Sequence, residues 1–88
     1  MKVAYEAAFL RDLKRVRSKK VRRRVQRVIE EVKRASAPHE IAGLMKLHGY
    51  ETFYRIRVGD YRIGVEIVDD TVIFVRFLHR RELYRYFP

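Results

Sequence analysis

Eighty-eight residues, no cysteine and a formal net charge of +10 set the limits of this chain. The length allows one domain with a single two-layer core, and the absence of cysteine excludes disulfides and thiolate chemistry. No apolar run approaches the roughly 18 residues of a membrane span and no signal-peptide pattern opens the chain, so a cytoplasmic protein is expected.

Lys2 to Tyr5 reads as a short strand with Val3 and Tyr5 on one face. A helix from Glu6 to about Val16 follows, with Phe9, Leu10, Leu13 and Val16 as its apolar stripe. Ser18 is placed to cap a second helix in which Val21, Val25, Val28, Ile29, Val32 and Ala35 recur at three- and four-residue spacing. That helix ends before Pro38. The outer surface of this helical hairpin carries most of the charge: residues 1–42 hold 13 Lys/Arg against 5 Asp/Glu, residues 43–88 only 8 against 6. Lys14, Arg15, Arg17, Lys19, Lys20, Arg22, Arg23, Arg24 and Arg27 run without one intervening acid. A solvated helix surface is the ordinary explanation of such charge. At this density, without compensating acids, a phosphate backbone or an acidic protein partner is favoured.

After a connector through His39 to Gly43, Leu44 to Leu47 reads as an edge strand. Phe53 to Glu66 then alternates apolar and polar residues on either side of Gly59-Asp60, the pattern of a two-residue hairpin turn. Such a turn opposes Val58 to Tyr61, Arg57 to Arg62, Ile56 to Ile63 and Arg55 to Gly64. Opposed residues share a face. Tyr54, Ile56, Val58, Tyr61, Ile63 and Val65 therefore form a core face, and Arg55, Arg57 and Arg62 gather on the other beside Phe53, Gly64 and Glu66. Two arginines directly opposite each other repel, and a polyanion laid across them turns that repulsion into binding.

A turn at Asp69-Asp70 leads into a last strand, Val72 to His79. If that turn also has two residues, Val65 opposes Phe74, Arg62 opposes Phe77, and the arginine face continues through Val75, Phe77 and His79. Arg76 then points to the core side; either it lies at the sheet margin near Glu6 or Asp12, or the turn is longer. Residues 80–87 have room for one or two helical turns. The fold class is α+β: an N-terminal strand and helical hairpin packed on a small antiparallel sheet, in one domain over residues 1–88. His39 and His48 have no companions at metal-ligand spacing, so neither a metal nor a cofactor is expected.

Residues 46–49 (Lys-Leu-His-Gly), 54–63 (Tyr-Arg-Ile-Arg-Val-Gly-Asp-Tyr-Arg-Ile) and 79–84 (His-Arg-Arg-Glu-Leu-Tyr) resemble RelE-type toxins of the RelE/ParE superfamily, over nearly the whole chain. The resemblance implies a toxin of a type II toxin–antitoxin module. It implies entry into the ribosomal A site, metal-independent mRNA cleavage by 2′-hydroxyl attack on the neighbouring phosphate, and a cognate antitoxin that blocks the toxin. The free toxin is expected to be a monomer, because self-repulsion opposes dimers.

That reaction needs a base, positive charge around the pentacoordinate phosphate, and an acid for the leaving oxygen. The family pattern places basic residues at Arg55 and Arg57, arginines at Arg62 and Arg80 that would clamp the phosphate, and at Tyr84 a tyrosine that would stack on a base or help orient the nucleotide. Several relatives carry lysines where this chain has Arg55 and Arg57, and arginine effectively cannot give up its proton. His79 is therefore the expected proton-transfer group, with Glu51 and Glu66 as possible carboxylate partners. Lys46 and Arg81 join the basic helical run as expected RNA contacts. The superfamily also contains ParE-type gyrase inhibitors, and a degenerate member acting only in an antitoxin or operator complex is a third reading.

Overall fold

The protein is described over Met1–Pro88 by a computed structural model. In chain order the elements are β1 (Lys2–Tyr5), α1 (Ala7–Arg15), α2 (Lys19–Arg34), a 3-10 turn at Pro38–Glu40, β2 (Leu44–Lys46), β3 (Phe53–Val58), β4 (Tyr61–Val68), β5 (Thr71–His79) and α3 (Leu83–Tyr86). Ser18 caps α2, its hydroxyl accepting from the Val21 N–H at 3.2 Å. Arg22 closes the joint between the helices by donating to the Val16 carbonyl at 2.7 Å. The apolar stripe of α1 holds except at Leu10, which is half exposed.

The sheet has the order β1-β5-β4-β3-β2. It is mixed rather than wholly antiparallel, because β1 joins it alongside β5 in parallel. Phe9, Val25 and Val32 from the helices meet Ile56, Ile63, Val65, Val72, Phe74 and Phe77 from the sheet in the main core. Tyr54 and Tyr61 pack against its rim. The hairpin of β3 and β4 has the expected pairing, Val58 with Tyr61, Arg57 with Arg62, Ile56 with Ile63 and Arg55 with Gly64. Gly59 supplies the left-handed conformation at the turn, with φ +58°.

Past the second turn the pairing departs from expectation. Val65 opposes Phe74, but Gly64 opposes Arg76, so the ladder breaks between Gly64 and Val65. Two residues of β5, Val75 and Arg76, thus face one step of β4, which is a bulge. Every later residue of β5 changes face. Arg62 opposes Leu78 rather than Phe77, and Phe77 opposes Ile63 in the core at 2% exposure. The arginine face therefore continues through Val75 and Leu78, and neither Phe77 nor His79 belongs to it.

The bulge also resolves Arg76. It lies at the sheet margin, where β5 runs on beyond the end of β1, and donates to Asp12 of α1 at 2.7 and 3.1 Å. The same carboxylate accepts the free Phe77 N–H at 3.0 Å, so Asp12 does for this edge what a longer β1 would have done. The hydrogen bond to Asp12 raises the Arg76 pKa above its ordinary value against the opposing effect of burial, and the Asp12 charge adds to the rise. Removing one partner of such a pair strands the other. Asp12→Ala is expected to lower stability by about 3 kcal/mol, measured as an earlier midpoint in urea; an unchanged midpoint would refute the edge-capping role.

Candidate functional site

The alternation of β3 and β4 sends Arg55, Arg57 and Arg62 to the sheet face away from α1 and α2. Arg57 is exposed; Arg55 and Arg62 are half-buried. Arg62 Nη1 donates to the carbonyls of Gly59 at 2.8 Å and Tyr61 at 2.9 Å. Arg55 reaches the Gly43 carbonyl and the Met45 sulfur, the latter at 3.3 Å. The chain returns to this spot after β5, where the Arg80 N–H donates to the Asp60 carbonyl at 2.8 Å. Arg80 and Tyr84 are thereby carried beside Arg62.

Burial lowers the pKa of Arg62 from its ordinary value, and the charges of Arg55, Arg57 and Arg80 lower it further; Tyr84 acts in the opposite sense. The guanidinium remains charged at any physiological pH. No carboxylate lies within ion-pair distance of Arg55, Arg57, Arg62 or Arg80; the ion pairs of the molecule are Lys33 with Glu30, Lys46 with Glu51, Arg76 with Asp12 and Arg85 with Glu82. Four cations thus converge without an internal anion. Such a cluster is unfavourable until an external anion arrives.

A second, smaller apolar cluster holds the C-terminal segment on this face. Leu83 and Phe87 are buried against Leu47, with Phe53, Val75 and Leu78 at its margin. Phe87 lies flat over Gly64: a Cβ built there would stand 2.7–2.8 Å from three atoms of its ring. Tyr84, between these anchors, is 66% exposed.

His79 is not part of the arginine cluster. The bulge pairs it with Tyr61, whose ring it meets edge-on at 5.8 Å. It lines a shallow cleft with Asp12, Arg15, Val16, Ser18 and Tyr61 at the helical joint. Its Nδ1 accepts from the Arg81 N–H at 3.2 Å. The expected carboxylate partners are elsewhere: Glu66 accepts from the Thr52 hydroxyl at 3.0 Å, and Glu51 is almost fully exposed near Lys46. The expectation that His79 shares the face of Arg62 is therefore overturned, because one extra residue in β5 reverses the alternation.

The basic run is exposed throughout, from Lys14, Arg15 and Arg17 through Lys19, Lys20, Arg22, Arg23, Arg24 and Arg27. None of these side chains joins an ion pair. The first turn of α2 has no acid and begins with Lys19 and Lys20, although the positive end of a helix dipole favours anions there. Arg24 links this surface to the hairpin: a Cβ on Gly59 would lie 2.7 Å from its Nη1. Lys46 sits on the other side of β2 from the arginines, opposite Tyr54, and reaches Glu51 at 4.0 Å. Arg81 is exposed. No group of three or more His, Asp or Glu side chains comes together as a metal cage requires.

A helical pair on one face of a five-stranded sheet is the architecture of a type II toxin of RelE type. The model of the family described as "ParE toxin of type II toxin-antitoxin system, parDE" matches residues 3–84, and the chain belongs to that family. It is 44% identical to Toxin RelE3 of Methanocaldococcus jannaschii across the full length of both chains. It superimposes with a TM-score of 0.80 on the crystal structure of a RelB–RelE antitoxin–toxin complex from Methanococcus jannaschii, with 42% identity over 97% of this chain and 99% of that one. It also matches an archaeal RelE–RelB complex from Pyrococcus horikoshii with a TM-score of 0.74 and 22% identity, covering 93% and 97% of the two chains, a likeness of fold.

What sequence reasoning missed is how the tail is seated. The signal was present: a glycine inside a strand marks a bulge or a close approach, and at Gly64 it marks both. Gly64→Ala is expected to push Phe87 off the sheet, costing about 1–3 kcal/mol. The readout is faster tryptic cleavage after Arg81 and Arg85; unchanged cleavage would mean that the ring does not need this seat.

Proposed function

We propose that this toxin cleaves mRNA on the ribosome by attack of a 2′-hydroxyl on the adjacent phosphate, leaving a 2′,3′-cyclic phosphate and a 5′-hydroxyl. The observation that carries this reading is the convergence of Arg55, Arg57, Arg62 and Arg80 with no carboxylate among them. Arg62 and Arg80 hold the scissile phosphate, and Arg55 and Arg57 add charge where it accumulates in the transition state. The exposed ring of Tyr84 stacks on a base beside that phosphate. A phenol can also exchange a proton, which a guanidinium cannot. Tyr84 accordingly takes the proton-handling place expected for His79. The basic surface of α2 docks on ribosomal RNA, and a cognate antitoxin, as in the RelB–RelE complexes this chain resembles, covers the toxin when it is silent.

The test is to supply purified protein to translating ribosomes and map mRNA ends by primer extension. Cuts in phase with codons are expected. Arg62→Ala and Arg80→Ala should each reduce their rate by about 10²–10³-fold. Tyr84→Phe keeps the stacking ring but removes the hydroxyl, so a retained rate would restrict Tyr84 to stacking.

The family model's own description favours one second reading, a ParE-like inhibitor of DNA gyrase. Intact mRNA together with inhibited supercoiling would establish that reading in place of cleavage.

A further inference from the structure

Arg76 stands at the free margin of β5, where the helix layer and the C-terminal helix meet around the sheet. On one side the Asp12 carboxylate, 5% exposed, holds the guanidinium through two hydrogen bonds. On the other side the guanidinium carbon lies 5.6 Å from the centre of the Tyr86 ring. A bidentate carboxylate fixes the plane of an arginine, and a cation over an aromatic face attracts it.

Tyr86 is 51% exposed, so burial is not what places its ring. It belongs to α3, a single turn with no side-chain cap, too short to persist by itself. Leu83 and Phe87 pin one face of that turn to the sheet. Two anchors one turn apart fix the height of the helix but leave it free to roll. Tyr86, on the flank beside Phe87, supplies the contact that stops the roll, and Tyr84 projects from the opposite flank beside Arg62.

We propose that Asp12, Arg76 and Tyr86 form a positioning relay. Asp12 fixes Arg76, Arg76 fixes Tyr86, and the fixed roll of α3 aims Tyr84 at the phosphate held by Arg62 and Arg80. The relay acts through other residues and touches no substrate. Its effect on turnover rests on the nuclease reading above; its mechanical part does not.

Tyr86 is exposed enough to change without endangering the core, so the experiment compares Tyr86→Leu with Tyr86→Phe in the full chain. Hydrogen exchange follows the Arg85 and Phe87 amides, which donate to Glu82 and Leu83; ribosome-dependent cleavage is measured alongside. Tyr86→Leu should speed exchange of these amides by about two- to fivefold, and lower kcat with KM unchanged. Tyr86→Phe keeps the aromatic face and should match the parent in both. Parent-like exchange and kcat in Tyr86→Leu would overturn the proposal, as would a phenylalanine variant as impaired as the leucine one. If the parent protein cleaves nothing, the nuclease reading falls while the exchange comparison still decides the relay.

Discussion

The bulge that Val75 and Arg76 make opposite Gly64 is the constraint on which the rest of this molecule is arranged. With an unbroken ladder, one alternation would run the length of β5, Arg76 would enter the core, and Phe77 would leave it. The extra residue admits Phe77 to the core and delivers Arg76 to the margin beside Asp12. It also leaves Val75 and Leu78 on the outer face, where they become part of the bed for Leu83 and Phe87. Because Gly64 has no side chain, the Phe87 ring can lie directly on the backbone at that step. A local irregularity of one residue thus creates the second apolar cluster and, through it, the placement of Arg80 and Tyr84.

Two separate needs meet on this face, a stable docking of the tail and an unstable gathering of charge. The apolar cluster supplies the first. The second works against folding, since Arg57 and Arg62 are directly paired and like charges across a ladder repel. The protein does not relieve that repulsion with acids, although Glu51, Glu66 and Glu82 are all on neighbouring segments. Each of those carboxylates is engaged by another partner. The same economy holds along the basic run from Lys14 to Arg27, where nine cations go unpaired. Both surfaces therefore attract polyanions over a range set by ionic strength, and Arg24 at Gly59 makes them neighbours.

Much of this was legible in the residues. Ser18 before a three-and-four apolar spacing announced α2, and Gly59-Asp60 between alternating runs fixed the pairing that groups Arg55, Arg57 and Arg62. Those features are local, so a window of a few residues contains their cause. The bulge is not local. Whether β5 slips by one residue is decided by how Phe77 fits against Phe9 and Tyr61 and by Asp12, sixty-four residues earlier, waiting for Arg76. A charged Arg76 on the core side of an unbroken ladder marks the problem in the sequence, and the sheet margin near Asp12 is where the structure places it. His79 was misplaced by the same slip. Its chemistry fitted the task, but its face was inherited from a register that did not survive tertiary packing.

The tip of the β3–β4 hairpin holds its arginines in an unusual way. Three successive carbonyls, of Gly59, Asp60 and Tyr61, accept from the Arg62 side chain or the Arg80 main chain. Neutral carbonyl dipoles orient the Arg62 guanidinium through hydrogen bonds, yet they leave its full charge uncompensated. An anion arriving at this spot consequently meets no resident competitor to evict. Capture is an addition rather than an exchange, and the only ions that need depart are those of the surrounding solution.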